Sequence, residues 1–146
     1  MLSSWEMTPP TVVHVTPTEA VPFIRSYNAL MRTNAVDEYQ VGEVVWCGIV
    51  LKGILRAVLG LQTRNIEDEV FVWGVFGDGS HTIDEALAGA YLSKVIDGLP
   101  WNLSGAILPK NVAQQKRALR MGWHKTDKQC YSGSDEELQE IWERSR

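Results

Sequence analysis

Few side chains in this sequence could do chemistry, and their spacing narrows that chemistry at once. The two cysteines, Cys47 and Cys130, stand far apart with no companion cysteine or clustered histidine, which excludes a zinc motif and a CxxC redox pair. Gly77-Asp78-Gly79-Ser80 falls between a strand-like and a helix-like run, where two glycines let backbone N–H groups approach a phosphate. His81 follows that turn directly. Six Lys and Arg lie between Lys110 and Lys128, a pattern that fits an anion site and equally a solvated helix face. Of six tryptophans, Trp46, Trp73, Trp101 and Trp123 fall on or beside strands, where packing is the commoner role and stacking on a base the rarer one.

These residues need a scaffold. The chain has 146 residues, is 45% hydrophobic and carries a formal net charge of -4. That is enough chain for one domain with its own core and no disulfide staple, and the acidic balance argues against a broad polyanion-binding surface. The apolar stretches, such as Val44 to Leu51, fall short of the roughly 20 residues that cross a bilayer. Residues 1–10 show neither a basic nor an apolar signal region. The expectation is a single domain over 1–146 with a frayed lead-in, cytoplasmic and without a membrane partner.

The order of elements is the stronger signal. Thr11 to Val15 reads as a strand, and Thr16 caps a helix that runs from Pro17 to Met31. Thr33 to Gly42 holds a loop or short helix. Glu43 to Leu51, Ile54 to Leu61 and Val70 to Phe76 form an antiparallel meander, with Lys52-Gly53 as its first turn. Ile83, Leu87, Ala90, Tyr91 and Val95 recur at helical steps, so Thr82 to Ile96 is a helix whose core partners include Leu103, Ile107 and Trp73. Leu103 to Leu108 is a strand, Asn111 or the preceding Pro109 opens a helix from Val112 to Met121, and Trp123 to Tyr131 is a strand. Asp135 to Arg146 reads as a C-terminal helix, with Ser134 and Glu137 as its capping box. This alternation calls for an α+β domain: a mixed, mostly antiparallel sheet with helices on both faces.

On two segments the sequence resembles the GNAT superfamily of acyl-coenzyme A dependent N-acyltransferases. Asn111 and Gly122-Trp123 keep the spacing of the family's Asn and the Gly-aromatic pair that ends the following helix. Phe76-Gly77-Asp78-Gly79-Ser80 occupies the place of the family's glycine-rich loop. A narrower likeness, Asp78-Gly79-Ser80 with Leu87-Ala88-Gly89-Ala90, is to the phage Mom-type branch, which modifies adenine in DNA. The chain departs from both patterns. Ala118 stands where GNAT acetyltransferases carry a tyrosine acid, and Tyr27-Asn28 and Gly74 replace Mom-type histidines and an arginine.

The resemblance implies a splayed pair of strands with acetyl-CoA as cofactor and no metal. It implies backbone N–H groups of Val75 and Phe76 at the thioester oxygen, Gly77, Gly79 and Ser80 at the pyrophosphate, and Asn111 at the pantetheine arm. Candidate catalytic acids and bases are His81 and Tyr91, followed by Glu43, His124 and Tyr131. Lys110, Lys116, Arg117 and Arg120 are placed to meet a 3′-phosphate or a nucleic acid. The implied function is acetyl transfer to an amine on a small molecule, protein or nucleobase by a phage or mobile-element protein, which in that case works in the host cytoplasm and has the option of a homodimer. A catalytically silent GNAT-shaped binding or structural protein is the alternative, and Mom-type adenine modification the weaker one.

Overall fold

A computed structural model describes residues 10–63, 69–133 and 135–146, the side chain of Tyr39 excepted. In chain order these form β1 (Thr11–Val15), α1 (Pro17–Met31), a short 3-10 helix (Glu38–Glu43), β2 (Val45–Leu51), β3 (Ile54–Thr63), β4 (Glu69–Gly77), α2 (Ile83–Asp97), β5 (Asn102–Ile107), α3 (Val112–Arg120), β6 (His124–Ser132) and β7 (Glu137–Arg144). Local signals account for several boundaries. Thr16 and Glu19 close a reciprocal capping box at the start of α1, and Lys52 and Gly53 both take positive φ in the tight turn between β2 and β3.

One seven-stranded sheet has the order β1-β2-β3-β4-β5-β7-β6. The β4–β5 contact is parallel and the other pairings are antiparallel. The expected meander is present as β2, β3 and β4. Helix α1 covers one face, where Phe23 and Ile24 pack with Trp46, Val58 and Phe76. Helices α2 and α3 lie on the other, where Ala88, Leu92 and Ala118 join Leu59, Leu103 and Trp142.

The structure corrects two expectations. Residues 137–144 form strand β7, not the C-terminal helix expected over 135–146, and Ser134, its expected cap, lies outside the described residues. The strand wins because β5 has an open edge that β7 fills, and because Trp142 and Arg144 are then buried on the sheet. The Arg144 guanidinium donates to the carbonyls of Ile96, Asp97, Leu99 and Trp101 at 2.8 to 3.3 Å, tying the end of α2 to the start of β5. Glu137, the expected capping-box acid, instead accepts from the Thr33 hydroxyl.

The second correction is the phase of α2. Ile83 and Leu87 are 79% and 53% exposed, while Ala88, Leu92 and Ile96 face the core. Apolar residues occur around most of this helix, so size alone assigns the wrong face. Leu103, Ile107 and Val95 do share one cluster, whereas Trp73 packs with the cluster on the α1 face.

Candidate functional site

Strands β4 and β5 pair over four positions only, from Glu69 opposite Asn102 to Val72 opposite Gly105. Both continue, to Gly77 and Ile107, without pairing. The parting begins at a β-bulge: Gly60 faces Gly74 and Leu61 faces Val72, so Trp73 is the extra residue in β4. Gly74, at φ +128, absorbs the resulting bend. Beyond Val72, those backbone groups of β4 that point toward β5 have no strand partner among the described residues.

The parting opens a cavity on each face. On the α1 face it measures about 520 Å³ and is lined in part by Tyr27, Glu43, Trp73, Asn111, Tyr131 and Gln139. On the other it is a slot of about 50 Å³ under α2 and α3, bordered by Gln114, Ala118, Trp123 and Trp142. Trp73, Gly74, Val75, Ala106, Ile107 and Gln114 border both, so the two open on the same parting of the sheet, and we read them as mouths of one passage. Trp142 is 3% exposed, and its indole N–H has no acceptor among the described residues.

Asn111 sits at the edge of the passage with both side-chain functions engaged. Its Oδ1 caps α3 by accepting from the Gln114 N–H at 3.2 Å, and its Nδ2 donates to the Tyr27 hydroxyl at 3.1 Å. Tyr27 comes from α1, where its ring meets Phe76 edge-on at 5.2 Å. Burial pushes its phenol pKa up, and Glu137 adds to that rise against the bond from Asn111. Sequence reasoning passed over Tyr27, because its partner lies in a distant helix cap.

The glycine turn is differently furnished. The Asp78 carboxylate accepts from the Ser80 N–H at 2.9 Å and from the Ser80 hydroxyl at 2.6 Å, and Glu85 accepts from the Gly79 N–H at 2.5 Å. A Cβ at Gly77 would lie 2.7 Å from the Glu85 carboxyl carbon, so that glycine makes room for the acid. Arg56 lies 3.2 Å from Asp78 and 3.7 Å from Asp84, which Lys52 also meets at 3.4 Å. Desolvation pushes the Asp78 pKa up, but the two bonds from Ser80, with Glu85 and Arg56 behind them, hold it down to about 2.

The other candidates scatter. Val75 and Phe76 line the passage, and Phe76 buries its ring against α1. Glu43 and Tyr131 line the larger mouth, the latter 69% exposed. His81, exposed and at φ +55, and Tyr91, 39% exposed on α2, border neither mouth; nor does His124, exposed at the start of β6. Ala118 is buried beneath the slot. Lys110 donates to the Arg32 carbonyl and pairs with Glu137, Arg117 borders the slot, and Lys116 and Arg120 face solvent.

A mixed, mostly antiparallel seven-stranded sheet that parts between its fourth and fifth strands, with helices on both faces, is a GNAT-like fold. Solved structures of acetyltransferases share it. An "IAA acetyltransferase" from Bacillus cereus matches with a TM-score of 0.65 at 9% identity, over 94% of this chain and 100% of that one. A putative acetyltransferase from Salmonella typhimurium, solved with its cofactor acetyl-CoA, matches at 0.64 with 14% identity over 94% of each chain. An acetyltransferase from Thermus thermophilus matches at 0.65 with 13% identity over 97% of this chain and 99% of that one. No family model and no curated protein matches the sequence. What these structures share with the chain at such identities is the fold. Among the described residues, no helix is long and apolar enough to cross a membrane, and no group of metal-ligating side chains occurs.

Proposed function

We propose that this chain is an N-acyltransferase that takes an acyl group from a thioester of the acetyl-CoA kind and gives it to an amine. The observation that carries this reading is the passage through the sheet where β4 and β5 part, with Asn111 and Tyr27 bonded to each other at its edge. The two halves of such a donor fit unequally. The donors of the parting suit the amide carbonyls of an extended pantetheine arm, since the β4 edge and the Trp142 indole N–H lack partners among the described residues, and the slot of about 50 Å³ at Trp142 has to widen to admit it. A pyrophosphate does not fit the glycine turn, whose Gly79 and Ser80 N–H groups already serve carboxylates.

A donor thioester supplies an activated carbonyl, and the residues supply the rest. The N–H groups of the adjacent Val75 and Phe76 point to opposite edges of β4, so the unpaired edge offers one of the two to the carbonyl oxygen, where fixed dipoles stabilise developing charge. The larger mouth admits the amine from the α1 face. As the amine nitrogen bonds to the carbonyl carbon and the C–S bond breaks, Tyr27, kept protonated by burial, replaces the missing acid at Ala118 by giving its proton to the departing sulfur, and it regains one from the amine nitrogen through water in the larger mouth. Asn111 holds that hydroxyl in place. His81 and Tyr91 stand outside both mouths and have no part in this scheme.

Thiol release from an acetyl thioester, followed across a panel of amines, tests the proposal. Tyr27→Phe keeps the ring against Phe76 and removes the hydroxyl, so the rate is expected to fall about 100-fold. Asn111→Ala removes the bond that holds the Tyr27 hydroxyl and is expected to lower the rate by up to about tenfold. A Tyr27→Phe rate equal to wild type would remove Tyr27 from the scheme. The second reading is a catalytically silent GNAT-shaped binding protein, which the absent acid at Ala118 and the carboxylate-filled turn favour. It wins if no amine elicits thiol release from a chain that still binds the thioester. Mom-type adenine modification rests on the Asp78 to Ser80 and Leu87 to Ala90 likeness alone.

A further inference from the structure

We infer that the chain grips its acyl donor by the pantetheine arm and leaves any nucleotide half ungripped, because its own acids fill the phosphate cradle. The inference rests on the acyl-transfer reading and narrows it to the class of donor. Nucleotide clasping at a strand-to-helix turn needs free backbone N–H groups and a helix start open to an anion. Here the Glu85 carboxylate takes the Gly79 N–H and lies against Gly77, while the Asp78 carboxylate takes the Ser80 N–H. Asp84, Glu85 and Asp78 put three acidic side chains at the start of α2. The nearby cations are already committed, Arg56 to Asp78 and Asp84, and Lys52 to Asp84.

The arm's path carries the opposite signature. The β4 edge past Val72 lacks a strand partner, and the buried Trp142 N–H lacks an acceptor at the slot. Gly105 helps to form that slot: it faces Trp142 across β5 and β7, and a Cβ there would crowd the Val72 carbonyl at 3.3 Å and the Trp123 ring at 3.5 Å. Unpaired backbone and indole donors suit the amide carbonyls of a pantetheine chain. Acetyl-CoA can serve such a site with its nucleotide in solvent, and so can a shorter thioester with no nucleotide.

Calorimetric titration of the full chain with acetyl-CoA and with S-acetylpantetheine separates the cases. Both are expected to bind, with dissociation constants within about threefold of each other. Glu85→Ala, and independently Asp78→Asn, each free a backbone donor and remove a charge. Either is expected to tighten acetyl-CoA by about tenfold and to leave S-acetylpantetheine unchanged. Wild-type acetyl-CoA binding tenfold or more tighter than S-acetylpantetheine would overturn the inference while leaving acyl transfer standing. If neither thioester binds, the acyl-transfer reading falls and takes the inference with it.

Discussion

Helices α1 and α2 begin with the same Thr-x-x-Glu signature, Thr16 to Glu19 and Thr82 to Glu85, and the two acids do different things. In both, the Glu N–H donates to the Thr hydroxyl, at 3.2 and 3.3 Å. Glu19 then returns the bond by accepting from the Thr16 N–H at 3.0 Å, which completes a closed cap. Glu85 reaches past its own cap to the Gly79 N–H. A glycine turn precedes α2 and a strand precedes α1, so only α2 has orphan donors upstream for its acid to find. One signature therefore yields a simple cap in one place and a plugged anion site in the other.

The comparison holds only if α2 is seated as described, and this is where the largest effect is expected. Leu92 is fully buried against the sheet, so Leu92→Ala should cost about 2 to 5 kcal/mol in denaturant unfolding. Leu87→Ala, at an exposed position of the same helix, should cost less than about 1 kcal/mol. Reversed magnitudes would turn α2 by roughly one residue about its axis and carry Glu85 away from the turn.

The sequence showed those parts of the fold that are written locally. The Thr16 cap of α1, the Lys52-Gly53 turn and the start of α3 near Asn111 each depend on neighbouring residues, and each was legible. Strand β7 was not, because Glu137 to Arg144 is rich in helix formers and becomes a strand through pairing with β5 and β6. The phase of α2 was hidden by apolar residues on two faces. At the site, Asn111 was legible from its spacing. Its partner Tyr27 was not, since the bond joins α1 to the start of α3. Glu85 was not singled out either, since its destination depends on how the turn folds back.

A smaller effect separates the two caps themselves. Thr16→Ala and Thr82→Ala each remove one acceptor for a helix N–H and should each cost about 1 kcal/mol. Combined with Ala at the matching Glu, the pairs should diverge. Thr16 and Glu19 exchange bonds, so their double-mutant cycle should show coupling. The Glu85 carboxylate is engaged with Gly79, so the Thr82 and Glu85 cycle should be close to additive. Coupling of equal size in both cycles would mean that Glu85 closes an ordinary capping box.

The smallest effect is in acid, where the turn and the α1 cap can be titrated against each other. Asp78 has its pKa depressed from 3.8 to about 2, so its stabilising bonds are fully present above 3.8 and are lost as pH falls through about 2. Glu19 is also held below its ordinary 4.5, chiefly by the Thr16 backbone N–H, and so loses its contribution in the same direction. Unfolding midpoints of wild type and Asp78→Asn, measured from pH 6 downward, should differ by a constant amount until about pH 4 and converge toward pH 2. Convergence follows because a protonated Asp78 can no longer accept as a carboxylate from both groups of Ser80. The Glu19→Gln gap should begin to close at higher pH, since its reference value is higher. A gap for Asp78→Asn that stays constant down to about pH 2 would mean that the Asp78 charge does not hold the turn, and the plugged cradle would then rest on Glu85 alone.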